Sequence, residues 1–296
     1  MSPNPLLKRL GLSHSDRAVI FHADDIGMCQ ASVAAYQELL AFGLMSSAAA
    51  MTPCAWFPHA AALSHTFSTP PDLGVHLTLT SEWDTYRWAP LSTRDTTTGL
   101  LDNEGYLHRT SEAVQAQASP EAVLQEAVAQ VQKALAAGID VTHLDSHMGT
   151  VFHPKFLPAY LRVAQQFGIP ALLARYDAAQ LQAMGFPADT AVMLAEQVVL
   201  LEEQVLPLLD SITGLWLDKP DNRLEQAKEL LDSLGPGVHY FIFHPSVDTP
   251  ELRTIAPDWR ARVEDYKLFL NPAWREYVQA SGVHVLGWRA IRDLDK

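Results

Sequence analysis

Titratable side chains gather where short apolar segments of this 296-residue sequence end. Asp24 and Asp25 directly follow the apolar run 18–23, and adjacent carboxylates at such a point repel each other unless a cation or a shared proton holds them. His76 interrupts the apolar segment LGVHLTLT, and His244 closes the segment VHYFIFH before a proline. Each of these could instead be a turn, a helix cap or a buried histidine, so none of them alone indicates chemistry.

The segment VTHLDSH carries the densest group, because alternation along a strand places His143, Asp145 and His147 on one face. Three such groups make a poor core unless a metal or a hydrogen-bond network satisfies them. Two histidines and one aspartate form a three-ligand site with open positions, which suits Zn²⁺ or another divalent first-row metal. Such a site activates water for hydrolysis, or iron for oxygen chemistry.

The elements that position these groups alternate between strands and helices along the chain, which predicts a parallel sheet with helices outside it. We expect one α/β domain over residues 1–296, a closed or nearly closed (β/α) barrel that is seven-stranded or a distorted TIM-like barrel, with a long insertion at about 81–109. In a barrel, catalytic groups lie at the carboxyl ends of strands. The predicted strands are 18–23, a short one near 50, 73–80, 141–147, 171–175, 212–217, 238–244 and 283–288, and the predicted helices include 30–42, 119–138, 154–167, 221–234 and 272–280.

The insertion carries Trp83, Tyr86 and Trp88 close to the end of the third predicted strand. These aromatic rings either pack against sugar rings or anchor the insertion to the barrel rim. Cys29, close to the aspartate pair, has no base beside it in the sequence, so we interpret it as a packing residue.

Composition excludes several kinds of partner. The formal net charge of −13 argues against nucleic acid and against an anionic membrane surface, since both attract clustered Lys and Arg. The sequence has no run of about 20 apolar residues, so we expect no membrane span. Two cysteines without a CxxC pair suit a reducing cytoplasm. Apolar positions on the last helices are compatible with a homodimer.

Four motifs in order, HADDIGM, GVHLTLT, HLDSHMG and the late HP, resemble the YdjC-like carbohydrate deacetylases, the chito-oligosaccharide and hopanoid-type group. The resemblance covers residues 18 to about 290. It implies a (β/α) barrel related to the polysaccharide deacetylases and a divalent metal ion, Mg²⁺ or Zn²⁺. The residues that match the family pattern give the metal ligands as Asp25, His76 and His147, the general base as Asp24 and the general acid as His244.

Further residues complete the expected site. Metal-bound histidines usually donate their other N–H to a carboxylate, so we expect Asp145 to orient one of them, while His143 either shares that role or belongs to the core. Family members often carry an arginine in the strand after the fourth helix, in a PxxR-like pattern. Here the strand reads PALLAR, so Arg175 is the candidate from a shifted position.

The expected reaction is metal-dependent hydrolysis of an N-acetyl group from an amino sugar in a small carbohydrate substrate. Another metal-dependent hydrolase on the same barrel, a phosphoesterase or an amidohydrolase, would use the same ligands. A phosphate substrate, however, would recruit more Lys and Arg around the mouth than these motifs show. A non-catalytic sugar-binding protein is expected to have lost one of Asp24, Asp25, His76 or His147, and all four are present.

Overall fold

The computed structural model describes residues 3–183, 185, 187–203 and 206–295, and a parallel sheet of seven strands lies at its centre. All the strand pairs run parallel. The strands are β1 (Arg17–Ile26), β2 (Ser47–Ala50), β3 (Leu73–Leu77), β4 (Val141–Ser146), β5 (Ser211–Gly214), β6 (Gly237–Phe243) and β7 (His284–Val285).

The strands follow the order β4-β3-β2-β1-β6-β5, and β7 pairs with β1 beside this path. The segment 171–174 spans the gap between β4 and the chain before β5. It forms isolated parallel bridges to Leu144 on one side and to Leu209 on the other. The predicted strand 171–175 is therefore present only as single bridges, and no ladder between strands closes the sheet there among the described residues. The α/β class predicted from the sequence is confirmed.

Thirteen helices among the described residues surround this sheet, and several begin at the side chains that favour a helix start. Ser119 accepts a hydrogen bond from the backbone N–H of Ala122, and Pro120 takes the first helical position. The helices are α1 (Pro5–Arg9), α2 (Gln30–Phe42), α3 (Phe57–Ser64), α4 (Ser111–Gln117), α5 (Pro120–Ala136), α6 (Leu157–Phe167), α7 (Ala178–Ala183), α8 (Ala188–Glu203), α9 (Arg223–Ser233), α10 (Pro250–Ile255), α11 (Trp259–Phe269), α12 (Pro272–Ala280) and α13 (Trp288–Arg292).

Strand β1 shows how alternation directs the site residues to one face of the sheet. It is buried along its length after Arg17, as expected for a parallel strand covered on both faces. Phe21 packs against Phe269 and Trp274 on the helical side of the sheet. Because side chains alternate, the ring of His22 turns to the other face, where it stacks on Tyr240 of β6. Asp24 follows two residues later and continues this inner row.

The predicted insertion is a long connection between β3 and α4. It contains a short 3₁₀ helix, Thr96–Thr98, and an antiparallel bridge between Leu101 and Leu107. Two aromatic side chains anchor it. The Tyr86 hydroxyl donates to the Met28 carbonyl (2.6 Å), and the Trp88 indole N–H donates to the carbonyl of Thr80, just before the insertion (2.7 Å). Within the described part of the chain, no helix is long and apolar enough to cross a membrane.

Candidate active site

The predicted site residues meet at a cavity of about 580 Å³ at the carboxyl ends of β1, β3, β4 and β6. Asp24, Asp25, His76, His147 and His244 all line it. Their convergence follows from parallel register, which pairs His76 of β3 with Asp145 of β4 and turns the ends of adjacent strands to the same edge.

Three donor atoms of the predicted ligand set face one another. Asp25 Oδ1 lies 3.3 Å from His76 Nε2 and 3.0 Å from His147 Nδ1, and all three residues are buried. These atoms form one of the buried groups that could hold a metal ion. A carboxylate and two imidazoles are suitable ligands for a divalent first-row cation.

The far nitrogen of each imidazole contacts a carboxylate. His76 Nδ1 lies 2.8 Å from Asp145 Oδ1, and His147 Nε2 lies 3.0 Å from Glu82 Oε1. With protons on these nitrogens, the near nitrogens present lone pairs to Asp25 Oδ1. That oxygen is buried and accepts no hydrogen bond from any residue the structure describes. When both imidazoles are neutral, three electron-pair donors converge with no proton between them, which fits a bound cation, so the residues present suit the predicted metal.

The pKa values of His76 and His147 indicate the same need for positive charge. Burial has the largest influence on His76 and lowers its pKa, but the carboxylates of Asp145 and Asp24 outweigh it, so the pKa of His76 lies well above its ordinary value. Burial also opposes charge on His147, yet Glu82 and Asp25 raise the pKa of that imidazole to about 9. Without a cation, protons on these imidazoles supply the positive charge.

Asp25 is held from its other side by an arginine that the sequence analysis missed. Arg262 of α11 donates from Nη1 to Asp25 Oδ2 (2.7 Å) and forms two bonds to Asp258. Burial acts to raise the pKa of Asp25, but His147 and Arg262 hold it well below the usual range. The backbone of Asp25 has φ 62°, an uncommon value for a residue other than glycine, and it marks a local strain at this site.

The two predicted catalytic residues lie beside this cluster. Asp24 Oδ2 is 3.7 Å from His244 Nε2 and 3.9 Å from His76 Nε2. The backbone N–H of His244 donates to Asp265 Oδ2 (2.9 Å), which fixes the residue just past the end of β6. Burial lowers the pKa of His244, so its imidazole is neutral at neutral pH.

Beneath the cavity, the remaining predicted histidine is a packing residue. His143 is fully buried, stacks on Trp288 with ring centroids 5.1 Å apart, and fills the space above Gly74. Burial holds its pKa well below the ordinary value. Of the two roles left open for His143, the structure therefore favours the core. Asp145 has the orienting position predicted for it, since it contacts His76.

Arg175 is not at this site, which corrects the prediction. Its guanidinium contacts Glu202 and Asp210, and Asp210 accepts a hydrogen bond from the backbone of Val238 near the start of β6. Arg175 is not among the described residues that line the cavity. The shift from the family pattern moves this side chain into an ion-pair network elsewhere in the fold, and Arg262 is the buried arginine of the site.

The aromatic residues of the insertion divide into two roles. Tyr86 and Trp88 anchor the segment. Trp83 lines the cavity, and the Cζ atom of Arg262 lies 5.7 Å from the centroid of the Trp83 ring. The cavity mouth also carries Trp216 and Met148, with 66% and 61% of their surfaces exposed. Cys29 is buried, in keeping with packing.

Sequence reasoning missed Glu82, Arg262 and Trp216. For Glu82 a signal existed, because this acid follows the third predicted strand by only a few residues. Trp216 also carried a signal, since it lies near the end of the predicted strand 212–217, whereas Arg262 lies in a segment for which the sequence predicts no element.

Comparison with known proteins supports the resemblance seen in the motifs. A family model described as YdjC-like protein matches residues 18–280. A carbohydrate deacetylase from Thermus thermophilus is 35% identical over 288 residues, which cover 97% of this chain and 98% of that protein. A chitooligosaccharide deacetylase from Yersinia enterocolitica is 30% identical over 168 residues, 56% of this chain and 62% of that protein.

Among solved structures, a candidate cellobiose-phosphate cleavage protein from Enterococcus faecalis matches with a TM-score of 0.73 and 20% identity, covering 94% of this chain and 99% of that one. This likeness shows the fold alone. Fold and site together define an α/β protein with a buried carboxylate–histidine cluster at the strand ends of a parallel sheet. The chain belongs to the YdjC-like family, as the motifs predicted.

Proposed function

We propose that this protein is a metal-dependent carbohydrate deacetylase that hydrolyses the N-acetyl group of an amino sugar. The observation that carries the proposal is the convergence of Asp25 Oδ1, His76 Nε2 and His147 Nδ1 beside Asp24 and His244 in one cavity. The names of the relatives from Thermus thermophilus and Yersinia enterocolitica support the same reaction class.

Asp25, His76 and His147 would hold the divalent cation, with Asp145 and Glu82 orienting the two imidazoles. Two imidazole ligands favour Zn²⁺, while Mg²⁺ remains the alternative for the carboxylate. When bound there, the cation would supply Lewis-acid polarisation of the acetyl carbonyl and lower the pKa of water.

The chain's own residues would carry the proton. Asp24 presents Oδ2 to the cavity and takes a proton from the attacking water. His244, neutral at rest, receives that proton from Asp24 across the 3.7 Å gap and gives it to the departing amine nitrogen. The amine thus leaves as a neutral group, and the acetyl carbon keeps the water oxygen as acetic acid, which loses its proton to solvent to give acetate. Asp24 and His244 return to their starting states.

The cavity is poorly suited to a phosphoester. Among the described residues that line it, Arg262 is the one lysine or arginine, and Asp25 and Asp258 already engage its guanidinium. A phosphate would meet Asp24, Glu82 and Asp258 instead of free cations. A neutral N-acetylated sugar avoids that repulsion.

The test is acetate release from N-acetylglucosamine and its short oligomers. Protein stripped with a chelator is reloaded with Zn²⁺ or Mg²⁺, and acetate is measured enzymatically. We expect release that disappears on chelation and returns on reloading. Acetate release that chelation does not change, or no release with either divalent ion, would contradict the proposal.

A further inference from the structure

We propose that His22 is a positioning residue that fixes the carboxylate of Asp24, and that Ser47 and Asp72 lock its ring from below. The proposal rests on the proposed function, because it concerns the residue assigned as general base. His22 is not among the described residues that line the cavity, so it acts on the reaction only through the carboxylates that it contacts, Asp24 and Asp145.

The contact to Asp24 is made by one nitrogen. His22 Nε2 lies 3.2 Å from Asp24 Oδ1 and 3.1 Å from Asp145 Oδ2, and the side chain is fully buried. Asp24 Oδ1 therefore faces the buried His22 ring, whereas Oδ2 faces the cavity near His244 and His76. The contact with His22 on the Oδ1 side would keep Oδ2 directed into the cavity, where the attacking water of the proposed reaction would lie.

The opposite nitrogen fixes the ring. His22 Nδ1 lies 3.2 Å from Ser47 Oγ, its parallel partner in β2. Ser47 Oγ donates its proton to Asp72 Oδ1 (3.0 Å), so it can only accept from His22. Nδ1 is therefore the donor to Ser47, while Nε2 faces the two carboxylates. Tyr240 stacks on one face of the ring, with centroids 4.6 Å apart, and His143 packs edge-on at 4.9 Å.

Two adjacent aspartates beside one cation site could both bind the cation, and the contact with His22 would prevent this for Asp24. Asp24 lies close enough to His76 Nε2, at 3.9 Å, to swing toward the cation and become a further ligand. A carboxylate bound in that way could no longer accept a proton from water. The His22 contact keeps Asp24 turned away from the ligand cluster.

The variants His22→Phe and His22→Gln test the contact. Phenylalanine removes both ring nitrogens, and we expect kcat to fall about 100-fold while KM changes little and cation affinity does not fall. Glutamine restores a donor near the Nε2 position and is expected to recover most of that loss. His239→Phe is the matched control, because His239 is also a buried strand histidine but contacts Ser211 and Gly235 and does not line the cavity.

A second pair of variants avoids any change at His22. Ser47 and Thr142 both donate a hydroxyl proton to Asp72 Oδ1, but Ser47 alone of the two contacts His22. We expect Ser47→Ala to lower kcat several-fold and Thr142→Val to leave it unchanged. Equal effects of the two substitutions would contradict the locking role.

Crystal structures of the His22 variants decide the proposal without a substrate. We expect the Asp24 carboxylate to rotate in His22→Phe and to keep its position in His22→Gln. An unmoved Asp24 in His22→Phe, or full kcat in that variant, would overturn the positioning role even where the wild-type protein deacetylates sugars. Wild-type protein that releases no acetate would instead refute the proposed function. The crystal structures would then still show whether His22 fixes the position of the Asp24 carboxylate.

Discussion

Asp24 and Asp25 are neighbours in the chain with different partners. Asp25 contacts Arg262 and the two ligand histidines, while Asp24 contacts His22 and faces His244. The positive φ of Asp25 turns the backbone between them, so the two carboxylates point to different parts of the cluster. This separation allows one to bind the cation and the other to accept a proton.

Asp24→Asn tests that division of roles. The amide keeps the shape of the side chain but cannot accept the water proton, so we expect kcat to fall by about 10²- to 10⁴-fold. Metal content, measured by mass spectrometry of the purified variant, is expected to stay at the wild-type level. Loss of the metal together with activity would show that Asp24 is a ligand.

Glu82→Gln tests the orienting carboxylate that the sequence analysis missed. Loss of its charge beside His147 Nε2 is expected to weaken cation affinity about 10- to 100-fold, measured by competition with a chromogenic chelator. Glu104→Gln is the control, because Glu104 belongs to the same insertion but is exposed and pairs with Arg87. Similar losses in both variants would mean that the insertion, and not the contact to His147, controls affinity.

Cation affinity is expected to depend on pH through His147. In the cation-free protein its pKa is raised to about 9, above the unfolded value of about 6.5, so the proton stabilises the fold below pH 6.5 and that stabilisation is lost as the pH rises through 9. A cation must displace this proton. Affinity measured by calorimetry should therefore increase with pH by about tenfold per unit for each displaced proton and level off above pH 9. A constant affinity between pH 6.5 and 9 would contradict the protonated resting state.

The three predicted ligands could be found from the sequence because each interrupts or ends an apolar strand. Their orienting groups were harder to find. Glu82 lies two residues past the third predicted strand, where its position was a usable signal, but Arg262 lies on α11, a helix absent from the sequence prediction. Spacing along the chain could not show that Arg262 reaches a residue 237 positions away.

At the level of secondary structure, the turn after β1 positions the whole cluster. Gly27 has φ +87°, and a Cβ there would lie 3.0 Å from the Cα of Phe57. This combination of a left-handed backbone and a close backbone neighbour requires glycine.

Gly27→Ala should therefore cost more than a left-handed backbone alone. Gly43, at the end of α2, also has a positive φ but has open space around it. We expect Gly43→Ala to lower the free energy of unfolding by about 1–2 kcal/mol, and Gly27→Ala to lower it further and weaken cation binding. Urea denaturation and chelator competition measure both quantities. If Gly27→Ala destabilised the protein no more than Gly43→Ala and still bound the cation with wild-type affinity, the turn would not position the cluster.

Elements with clear end signals were predicted well. The bounds of α2 and α12 agree with the prediction, since Gly43 ends the first and Asn271 with Pro272 begins the second. The short, weakly paired segments were not: 171–175 forms only bridges, and the last strand is limited to His284–Val285. Their pairing depends on how distant strands approach one another, which local sequence does not encode.

For the molecule as a whole, the acidic character and the site are consistent with each other. The cavity is lined by carboxylates and by one engaged arginine, which suits a neutral sugar and a bound cation better than a polyanion. Exposed Trp216 and Met148 at the mouth offer apolar surface to a sugar ring. The division of the chain into one domain and its predicted dimerisation stay predictions.

The cation site is the central claim, and anomalous diffraction from crystals soaked in Zn²⁺ tests it most directly. We predict one strong peak within bonding distance of Asp25 Oδ1, His76 Nε2 and His147 Nδ1, which is lost in Asp25→Asn. His22, His143 and Asp145 form another buried group that could hold an ion. A peak at that second group, or none at the first, would contradict the account.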